Sequence, residues 1–464
     1  MAVSSAKTVI LTCSVLAVAM VLIVQQSDLL TTMAKLKGFN HSLQFPMKSF
    51  LNTTPLTVTG YWSPSWKPNL TRALHTTRSS VGNTTRFATT PKLKVQQWFY
   101  SPDEKATKWK RCKMLISGQT KLKGTITKPP PDSEILSKYT PNQDCAEVLI
   151  ARFGHPPVSE EEKQLPIAYS ITLYKSARLF ERILQAIYMP NNVYCIHIDK
   201  KSPDILLTAI KAMIRCLPNV FIAATRTSVF WGHFSLVQAQ FNCMEELSRS
   251  NVKWKYYISL VGQDFPLYVN KEIVRALLTL KNHNNIDSFP MPKSDLYRVK
   301  YVHLFIKNKN KFIRRGKKRP PPHNIAIYKG ATHIIAIREF VDFVLHNQIA
   351  KDFVEFLKDT FIPDESVYGS LQQHPLAPGG IRGKQPQYIA RAMYWRLKST
   401  KNICKGFWVR ALCWITFQDL QWAFGEEKKM KLFVHKIPFN FRNELIDCIL
   451  VARQGRKYGT TVWK

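Results

Sequence analysis

The segment that decides the fold lies between residues 166 and 262, where short apolar runs alternate with stretches of helical periodicity. The apolar runs read PIAYSITL at 166–173, VYCIHI at 193–198, NVFIAA at 219–224 and YYISLVG at 256–262. Apolar residues at helical spacing fill the intervals 176–188, 205–214 and 235–247. Such alternation predicts βαβ units, and therefore an α/β domain with a Rossmann-like, mostly parallel sheet flanked by helices.

Two acidic residues follow strands of this predicted sheet. Asp199 comes directly after the second strand, and Asp264 lies in the turn Gly262-Gln263-Asp264 after the fourth. Ligands of parallel sheets bind beyond the carboxyl ends of the strands, which makes both residues binding candidates. An alternative interpretation remains open, in which Asp199 caps the next helix and Asp264 stabilises a turn.

Several motifs are missing from the sequence, and each absence excludes or weakens a class of function. No Gly-x-Gly-x-x-Gly, Walker loop or Gly-x-Ser-x-Gly is present, which argues against nicotinamide-dependent enzymes, P-loop proteins and serine hydrolases. Neither His-Glu-x-x-His nor Cys-x-x-Cys occurs, and no Asp-x-Asp follows a strand in the first half. Enzymes that use sugar nucleotides commonly bind the diphosphate through a divalent ion on such an acidic pair, and a metal-free alternative would need fixed cations instead.

The charge of the chain favours anionic ligands. Among 464 residues, 67 Lys and Arg stand against 31 Asp and Glu, which gives a formal net charge of +36. Such a field attracts nucleic acid, anionic membranes or phosphorylated and acidic substrates. No basic helix with interleaved aromatic residues and no zinc-finger spacing is present, so no nucleic-acid partner is expected.

The N-terminus predicts entry into the secretory pathway. After Lys7, residues 8–24 form an uncharged run, which we interpret as a signal anchor, with a cleaved signal peptide and a buried core helix as alternatives. Residues 1–7 would be cytoplasmic and the remainder lumenal. Residues 25–110 are rich in Thr, Ser, Asn, Lys and Pro without periodicity and predict a flexible stem, glycosylated at four sequons. These begin at Asn40, Asn52, Asn69 and Asn83.

From about residue 112 the sequence resembles the core-2/I-branching β-1,6-N-acetylglucosaminyltransferases. The blocks that carry the resemblance are PIAYSITLY, AIYMPNNVYCIHIDKK, RCLPNVFIA, FNCMEELSRS, WKYYISLVGQDFPL and DTFIPDESVYGSL. The resemblance implies a GT-A-like catalytic domain over residues 111–464, in a type II protein of the Golgi membrane. It also implies inverting, metal-independent transfer of N-acetylglucosamine from UDP-GlcNAc to an O-glycan, with no cofactor.

The resemblance assigns roles to four residues on the donor side and at the reaction centre. Glu365, in Pro363-Asp364-Glu365, matches the family's catalytic base, although a carboxylate at a helix N-terminus is the alternative from sequence alone. Arg410 in WVRALC and Lys436 in FVHKIPF match the cations that replace a metal ion. Asp199 matches the carboxylate near the uridine.

The acceptor side matches less closely. Asp287 stands where the family has Glu, Arg298 matches an Arg, and Trp395 matches a sugar-stacking Trp that could equally be a core residue. The departures are Asp295 in place of a Lys, Leu397 in place of a Tyr, and Gly330-Ala331-Thr332-His333 in place of Gly-Ser-Ala-Tyr. They leave the acceptor open.

Eight cysteines lie in the predicted lumenal part, and sequence alone permits many pairings. The resemblance implies four disulfides, namely Cys112–Cys448, Cys145–Cys216, Cys195–Cys243 and Cys404–Cys413.

A basic segment at 307–319 has no counterpart in the family. It holds eight cationic residues and no acidic one, and we interpret it as a solvated loop. A contact with a sialylated glycan or a sulfated chain, and a processing or retention signal, are the alternatives.

The sequence thus predicts a Golgi β-1,6-N-acetylglucosaminyltransferase whose partners are a UDP-sugar, a glycoprotein O-glycan and the membrane. A homodimer is left open. Two other hypotheses remain: a related glycosyltransferase with another donor, such as an O-xylosyltransferase, and a catalytically silent glycan-binding Golgi protein.

Overall fold

The structure is a computed structural model that describes residues 102–120, 131–383, 387–396, 403–425 and 430–455. The predicted tail and anchor, the four sequons and Leu397 lie outside these ranges. None of the helices within them combines the length and the apolar character that a bilayer crossing requires.

Fourteen strands occur in the described ranges. In chain order they are β1 (Ile167–Leu173), β2 (Val193–Ile198), β3 (Val220–Ile222), β4 (Tyr256–Val261), β5 (Asp264–Pro266), β6 (Phe289–Pro290), β7 (Tyr301–Ile306), β8 (Lys311–Lys317), β9 (Tyr328–Lys329), β10 (Ile335–Ile337), β11 (Arg391–Met393), β12 (Phe407–Val409), β13 (Leu412–Trp414) and β14 (Phe433–His435). The α-helices span Pro102–Ile116, Ser133–Lys138, Cys145–Phe153, Glu160–Gln164, Ala177–Ile187, Asp204–Ile214, Ser235–Ser248, Asn270–Leu278, Tyr297–Lys300, Arg338–His346, Gln348–Leu357, Val367–Leu371, Leu420–Phe424 and Asn443–Gly455.

The central sheet has the order β10-β4-β1-β2-β3. Its strands are parallel except for β10, which pairs antiparallel with β4 at one edge. Every residue of β2 is buried, because helices cover both faces of such a sheet and strands inside it are apolar on both sides. The predicted α/β class and mostly parallel sheet are confirmed.

The predicted elements between 166 and 262 are all present, with ends displaced by one or two residues. The helix Ala177–Ile187 shows why apolar periodicity predicted these elements correctly. Its apolar residues Leu179, Phe180, Ile183 and Leu184 are all buried against the sheet.

A second, three-stranded sheet of order β11-β14-β5 lies beyond β4. Strand β5 begins at Asp264, just after the Gly262 turn, and pairs antiparallel with β14, which places Asp264 opposite His435. The hairpin β12–β13 forms a separate two-stranded sheet. This region brings residues far apart in sequence to the carboxyl edge of the central sheet.

The first and last described helices pack together and are joined by Cys112–Cys448. The other three disulfides are Cys145–Cys216, Cys195–Cys243 and Cys404–Cys413, so all four pairs are those that the resemblance implied. Helix Pro102–Ile116 begins within the predicted stem of residues 25–110. Its Cys112, Leu115 and Ile116 join the core, so ordered structure reaches into that stretch.

The basic segment 307–319 differs from the prediction of a solvated loop. It forms the turn and the second strand of a hairpin, in which β7 and β8 pair antiparallel. Phe305 and Phe312 face each other across the two strands, and their rings lie 4.9 Å apart. This aromatic pair stabilises the hairpin. The sequence analysis considered only the charge of the segment and therefore did not predict the pair.

Candidate active site

Two cations meet at the carboxyl edge of the central sheet. Arg410 lies in the turn between β12 and β13, and Lys436 directly follows β14. The pKa of Lys436 is lowered, first by burial and then by the positive charge of Arg410. Within the described residues neither side chain makes an ion pair with a carboxylate, although the charge of Asp264 partly opposes the lowering of the Lys436 pKa. Two positive charges therefore lie close together at this edge of the sheet.

Aromatic side chains hold both cations. The Arg410 guanidinium lies 5.7 Å from the ring centre of Trp231, and Lys436 Nζ lies 5.7 Å from that of Trp414. Burial raises the pKa of Tyr174, which directly follows β1, and the positive charge of Arg410 partly opposes that rise. Arg410 therefore lies close to the end of β1, where ligands of parallel sheets bind.

The predicted base, Glu365, lies at the end of a short 3₁₀ helix, Pro363–Glu365. Arg298 Nη1 donates to Glu365 Oε2 at 2.7 Å, and Lys329 Nζ lies 3.6 Å from the same oxygen. Asp295 bridges the two cations, with its oxygens 3.2 Å from Arg298 and 2.6 Å from Lys329. Three side chains of alternating charge, Arg298, Asp295 and Lys329, thus fix the Glu365 carboxylate. The sequence identified Arg298 as an acceptor candidate and Asp295 as a departure from the family, but it did not identify Lys329.

The backbone before Glu365 adopts a conformation that ordinary residues avoid. Ile362 has a φ of 56°. A β-branched residue in this region costs on the order of 1–3 kcal/mol and persists only where its surroundings enforce it. The Ile362 N–H donates to Gly232 O at 2.8 Å, which fixes the approach to Pro363 and Glu365.

Trp231 lies between the two cations and the segment that leads to Glu365. Its ring centre lies 5.6 Å from that of Phe361 as well as close to Arg410, and its neighbour Gly232 accepts the Ile362 N–H. The Trp231 ring is 63% exposed. An exposed aromatic ring therefore lies between the cationic group and the chain that leads into Glu365, and sequence reasoning did not identify it.

Asp364, which precedes Glu365, is buried, with only 9% of its surface exposed. Burial, and then the negative charge of Glu365, raise its pKa to about 7. The carboxyl therefore favours its neutral form in the interior, while the adjacent Glu365 side chain is partly exposed.

Asp264 is fully buried and does not face a ligand. Its carboxylate lies 3.0 Å from Arg391 Nη2 and 2.9 Å from His435 Nδ1, and it accepts the Val261 N–H at 2.7 Å. His333 lies 3.9 Å away. The alternative reading, in which Asp264 stabilises a turn, is therefore the one that fits.

The departure at His333 belongs to this buried cluster rather than to an exposed acceptor surface. The rings of His333 and His435 lie 5.0 Å apart, and burial lowers the pKa of both imidazoles. The contact between these two residues, 102 positions apart in the chain, is visible only in the structure. The cluster lies behind Lys436, which follows His435 directly.

Asp199 binds within its own loop. Its carboxylate lies 2.7 Å from Lys201 Nζ and accepts the Lys201 N–H at 2.8 Å. The following helix begins at Asp204 after Pro203, so Asp199 does not cap it. Asp199 remains at the end of β2, on the ligand edge of the sheet.

The acceptor candidates lie on two sides of the site. A Cβ added at Gly330 would meet the Asp287 carbonyl at 1.9 Å, so this close approach requires glycine. The Gly330 N–H in turn donates to Glu365 O at 2.8 Å, which places the Asp287 backbone close to Glu365. Burial raises the pKa of Asp287, and the positive charge of Lys431 partly opposes that rise.

Trp395 forms a bridge with Leu412, beside the turn that carries Arg410. It is 43% exposed, so the reading as a core residue is wrong.

Two groups among the described residues have the composition of a metal site. In the first, Asp264, His333 and His435, the Arg391 guanidinium already bonds the carboxylate. In the second, Cys404 and Cys413 form a disulfide and so cannot act as thiolate ligands. Neither group suits a catalytic ion.

The fold and these charges define an α/β protein with two cations at the carboxyl edge of its central sheet and a carboxylate, Glu365, fixed by neighbouring charges. The model of the family "Core-2/I-Branching enzyme" matches residues 167–395. The human N-acetyllactosaminide β-1,6-N-acetylglucosaminyl-transferase is 35% identical over 331 residues, covering 70% of this chain and 82% of the relative. Human β-1,3-galactosyl-O-glycosyl-glycoprotein β-1,6-N-acetylglucosaminyltransferase 3 is 38% identical over 295 residues, covering 60% and 67%.

The chain therefore belongs to the core-2/I-branching family of β-1,6-N-acetylglucosaminyltransferases and is a glycosyltransferase. Among solved structures, apo mouse xyloside xylosyltransferase 1 aligns with 58% of this chain and 97% of its own, at 10% identity and a TM-score of 0.31. That similarity is too low to support an argument.

Proposed function

We propose that this protein transfers N-acetylglucosamine from UDP-GlcNAc, with inversion and without a metal ion, to a 6-hydroxyl of a glycoprotein O-glycan. The observation that carries the proposal is the arrangement around Trp231, which contacts Arg410 and adjoins the segment that ends in Glu365. This arrangement supplies cations for a diphosphate and a carboxylate for a sugar hydroxyl.

In the proposed reaction the acceptor hydroxyl oxygen attacks the anomeric carbon from the side opposite UDP. Glu365 takes the hydroxyl proton while the bond between the anomeric carbon and the diphosphate oxygen breaks. Both described contacts of the Glu365 side chain are to Oε2, so Oε1 is the oxygen that would accept the proton. Arg298 and Lys329 hold the carboxylate in place.

The departing UDP gains negative charge, and Arg410 and Lys436 would stabilise it. The two cations sit in fixed positions before the reaction, so little reorganisation accompanies the charge transfer. Asp199, at the end of β2, would lie toward the uridine. Trp395 and Asp287 would contact the acceptor from the Arg410 side and from the Gly330 side.

Both relatives act, by their names, on glycan acceptors, one on N-acetyllactosaminide and one on an O-glycosyl-glycoprotein. We propose an O-glycan acceptor for this chain, and a Golgi membrane location with the catalytic domain in the lumen. The uncharged run at 8–24 and the sequons support the location.

The decisive experiment replaces Glu365 by Gln, which keeps the shape of the side chain and removes the base. Turnover of UDP-GlcNAc with a core-1 glycopeptide should fall about 10²- to 10⁴-fold, while the Kd for UDP stays unchanged. Glu355→Gln, on an exposed helix position, is the matched control. Unchanged product formation by Glu365→Gln would remove the assignment of the base.

Two further arms of this assay test the rest of the proposal. EDTA should leave the rate unchanged, because fixed cations replace the ion. Turnover with UDP-xylose instead of UDP-GlcNAc would point to a related enzyme with another donor. Glycan binding without turnover of either donor would point to a silent binding protein.

A further inference from the structure

Asp295 is the member of the charged group around Glu365 to which the proposed reaction assigns no part. It lies just before the helix Tyr297–Lys300, which carries Arg298, whereas Lys329 lies on β9. Its carboxylate contacts both cations, at 3.2 Å from Arg298 and 2.6 Å from Lys329. Asp295 therefore joins the two elements whose cations hold Glu365.

The hydrogen bond of the Lys329 ammonium goes to Asp295 rather than to Glu365. Lys329 Nζ donates to Asp295 Oδ2 at 2.6 Å, while it stays 3.6 Å from Glu365 Oε2, beyond hydrogen-bond distance. Arg298 Nη1, at 2.7 Å, is thus the cation that bonds Glu365 directly. If the Asp295 carboxylate were removed, Lys329 would lose this partner and could bond Glu365 as well.

The four side chains are balanced in charge and largely shielded from water. Arg298 and Lys329 carry two positive charges against the two negative charges of Asp295 and Glu365, and within the described ranges these four pair only with each other. Their side chains are 14–23% exposed, so solvent screens them less than charges on an open surface. Burial acts to lower the pKa of Arg298, but the charge and hydrogen bond of Glu365, then the charge of Asp295 and a hydrogen bond with Tyr297, raise it. Each charge of the group therefore acts on the others.

We infer that Asp295 is a positioning residue that keeps Glu365 basic enough to take the acceptor proton. Two cations that faced one carboxylate would fix it, but they would also stabilise its ionised form and weaken it as a base. Asp295 takes the hydrogen bond of one cation and offsets one of the two positive charges, so Glu365 stays in place without losing its affinity for a proton. The inference rests on the proposed function, since it concerns the base of that reaction.

The test removes each charge of the pair formed by Asp295 and Lys329 separately and then both together. The acid limb of the pH profile of kcat/KM for the acceptor, at saturating UDP-GlcNAc, reports protonation of the base before the acceptor binds. In Asp295→Asn this limb should move to lower pH by about 0.5–1 unit and the plateau should fall about threefold, because two cations then face Glu365 alone. In Lys329→Gln the limb should move to higher pH, because two carboxylates then share one cation.

The double variant Asp295→Asn/Lys329→Gln gives the decisive comparison. It restores the balance of charge, with Arg298 and Glu365 left as a single pair, so its acid limb should return close to the wild-type position. A merely structural role would give losses that add, without shifts of opposite sign. Shifts of the same sign in the two single variants, or no return in the double variant, would overturn the inference.

Two other groups that can titrate lie near Glu365 and need separate control. Asp364 is its buried neighbour, so the series is repeated in Asp364→Asn, where the same shifts should remain. Their disappearance there would assign them to Asp364 and refute the role of the pair. Tyr297 is retained in every variant. Asp103→Asn and Lys211→Gln remove exposed charges elsewhere and should leave the profile unchanged.

A measurement without turnover separates this inference from the proposed function. The apparent Tm of each protein is compared with that of its Glu365→Gln counterpart across the pH range, since the difference changes where the folded protein takes up a proton on Glu365. That pH should be lower in Asp295→Asn and higher in Lys329→Gln than in wild type. If these shifts appear while no donor is turned over, the proposed reaction fails and the charge balance stands. If turnover is normal and neither measurement shows a shift, the reaction stands and the role of Asp295 fails.

Discussion

Arg410 and Lys436 illustrate how single residues acquire a role from their surroundings. Among 67 cationic residues, these two face each other without a described carboxylate partner, in aromatic surroundings at the end of the sheet. Their mutual repulsion costs stability in the free protein, and a bound diphosphate would relieve it.

We therefore predict that Arg410→Ala and Lys436→Ala each lower kcat about 10²- to 10³-fold, which corresponds to about 3–4 kcal/mol of transition-state stabilisation. Steady-state kinetics with UDP-GlcNAc measures the effect. Arg396→Ala and Lys405→Ala, exposed cations of the same region, serve as controls. Equal losses in the controls would mean that general charge, rather than position, matters.

Asp364 gives a prediction about pH at the same scale. Its pKa is about 7 in the folded protein against the usual 3.8, so the folded state holds a proton that the unfolded chain releases. The contribution of this group to the free energy of unfolding therefore falls as the pH rises from about 4 to about 7.

Asp364→Asn imitates the protonated carboxyl and should remove that dependence. The apparent Tm of the variant should exceed that of wild type at pH 8, with a smaller difference at pH 5, at one scan rate throughout. Glu147→Gln neutralises an exposed carboxylate for comparison. A difference in Tm that is the same at both pH values would contradict the prediction.

At the scale of elements, the β12–β13 hairpin positions Arg410. Three paired residues on each strand form an isolated two-stranded sheet, which has little stability of its own. The Cys404–Cys413 disulfide ties the chain before β12 to β13. The disulfide therefore restricts the position of Arg410, the residue that would contact the diphosphate.

Replacing both Cys404 and Cys413 by Ser should weaken UDP binding by about tenfold. In the variant the hairpin that carries Arg410 would lose conformational entropy when UDP binds, whereas in the wild type the disulfide has already removed that freedom. Isothermal titration of UDP measures the change. The Cys145→Ser/Cys216→Ser variant, which opens a disulfide away from this hairpin, should bind UDP normally. Equal affinities in all three proteins would show that the hairpin needs no such restraint.

At the scale of the whole molecule, Cys112–Cys448 joins the two ends of the described chain. Its residues are 336 apart in sequence, against 9 for Cys404–Cys413. In the chain-entropy model the stabilisation by a disulfide grows with the logarithm of the loop length, which gives the longer loop an advantage of about 3 kcal/mol.

Cys112→Ser/Cys448→Ser should therefore lower the apparent Tm by more than Cys404→Ser/Cys413→Ser, by roughly 4 °C. Differential scanning calorimetry under non-reducing conditions compares the two variants. UDP binding measured well below the Tm should show the opposite order of effects. A larger loss of Tm in Cys404→Ser/Cys413→Ser than in Cys112→Ser/Cys448→Ser would contradict the prediction. It would mean that local packing of the β12–β13 hairpin contributes more to stability than chain entropy does.

Sequence alone determined the α/β class, the order and approximate limits of the strands and helices between 166 and 262, and the family, because apolar periodicity and contiguous motifs are local properties of the chain. Tertiary structure decided the rest, since it depends on contacts between distant residues. Sequence could not show that Trp231 adjoins Arg410, that Lys329 joins Glu365 and Arg298, or that Asp264 is enclosed by Arg391 and His435. The basic hairpin makes the same point, because its charge was visible in sequence while the aromatic packing that fixes it beside the site came from folding.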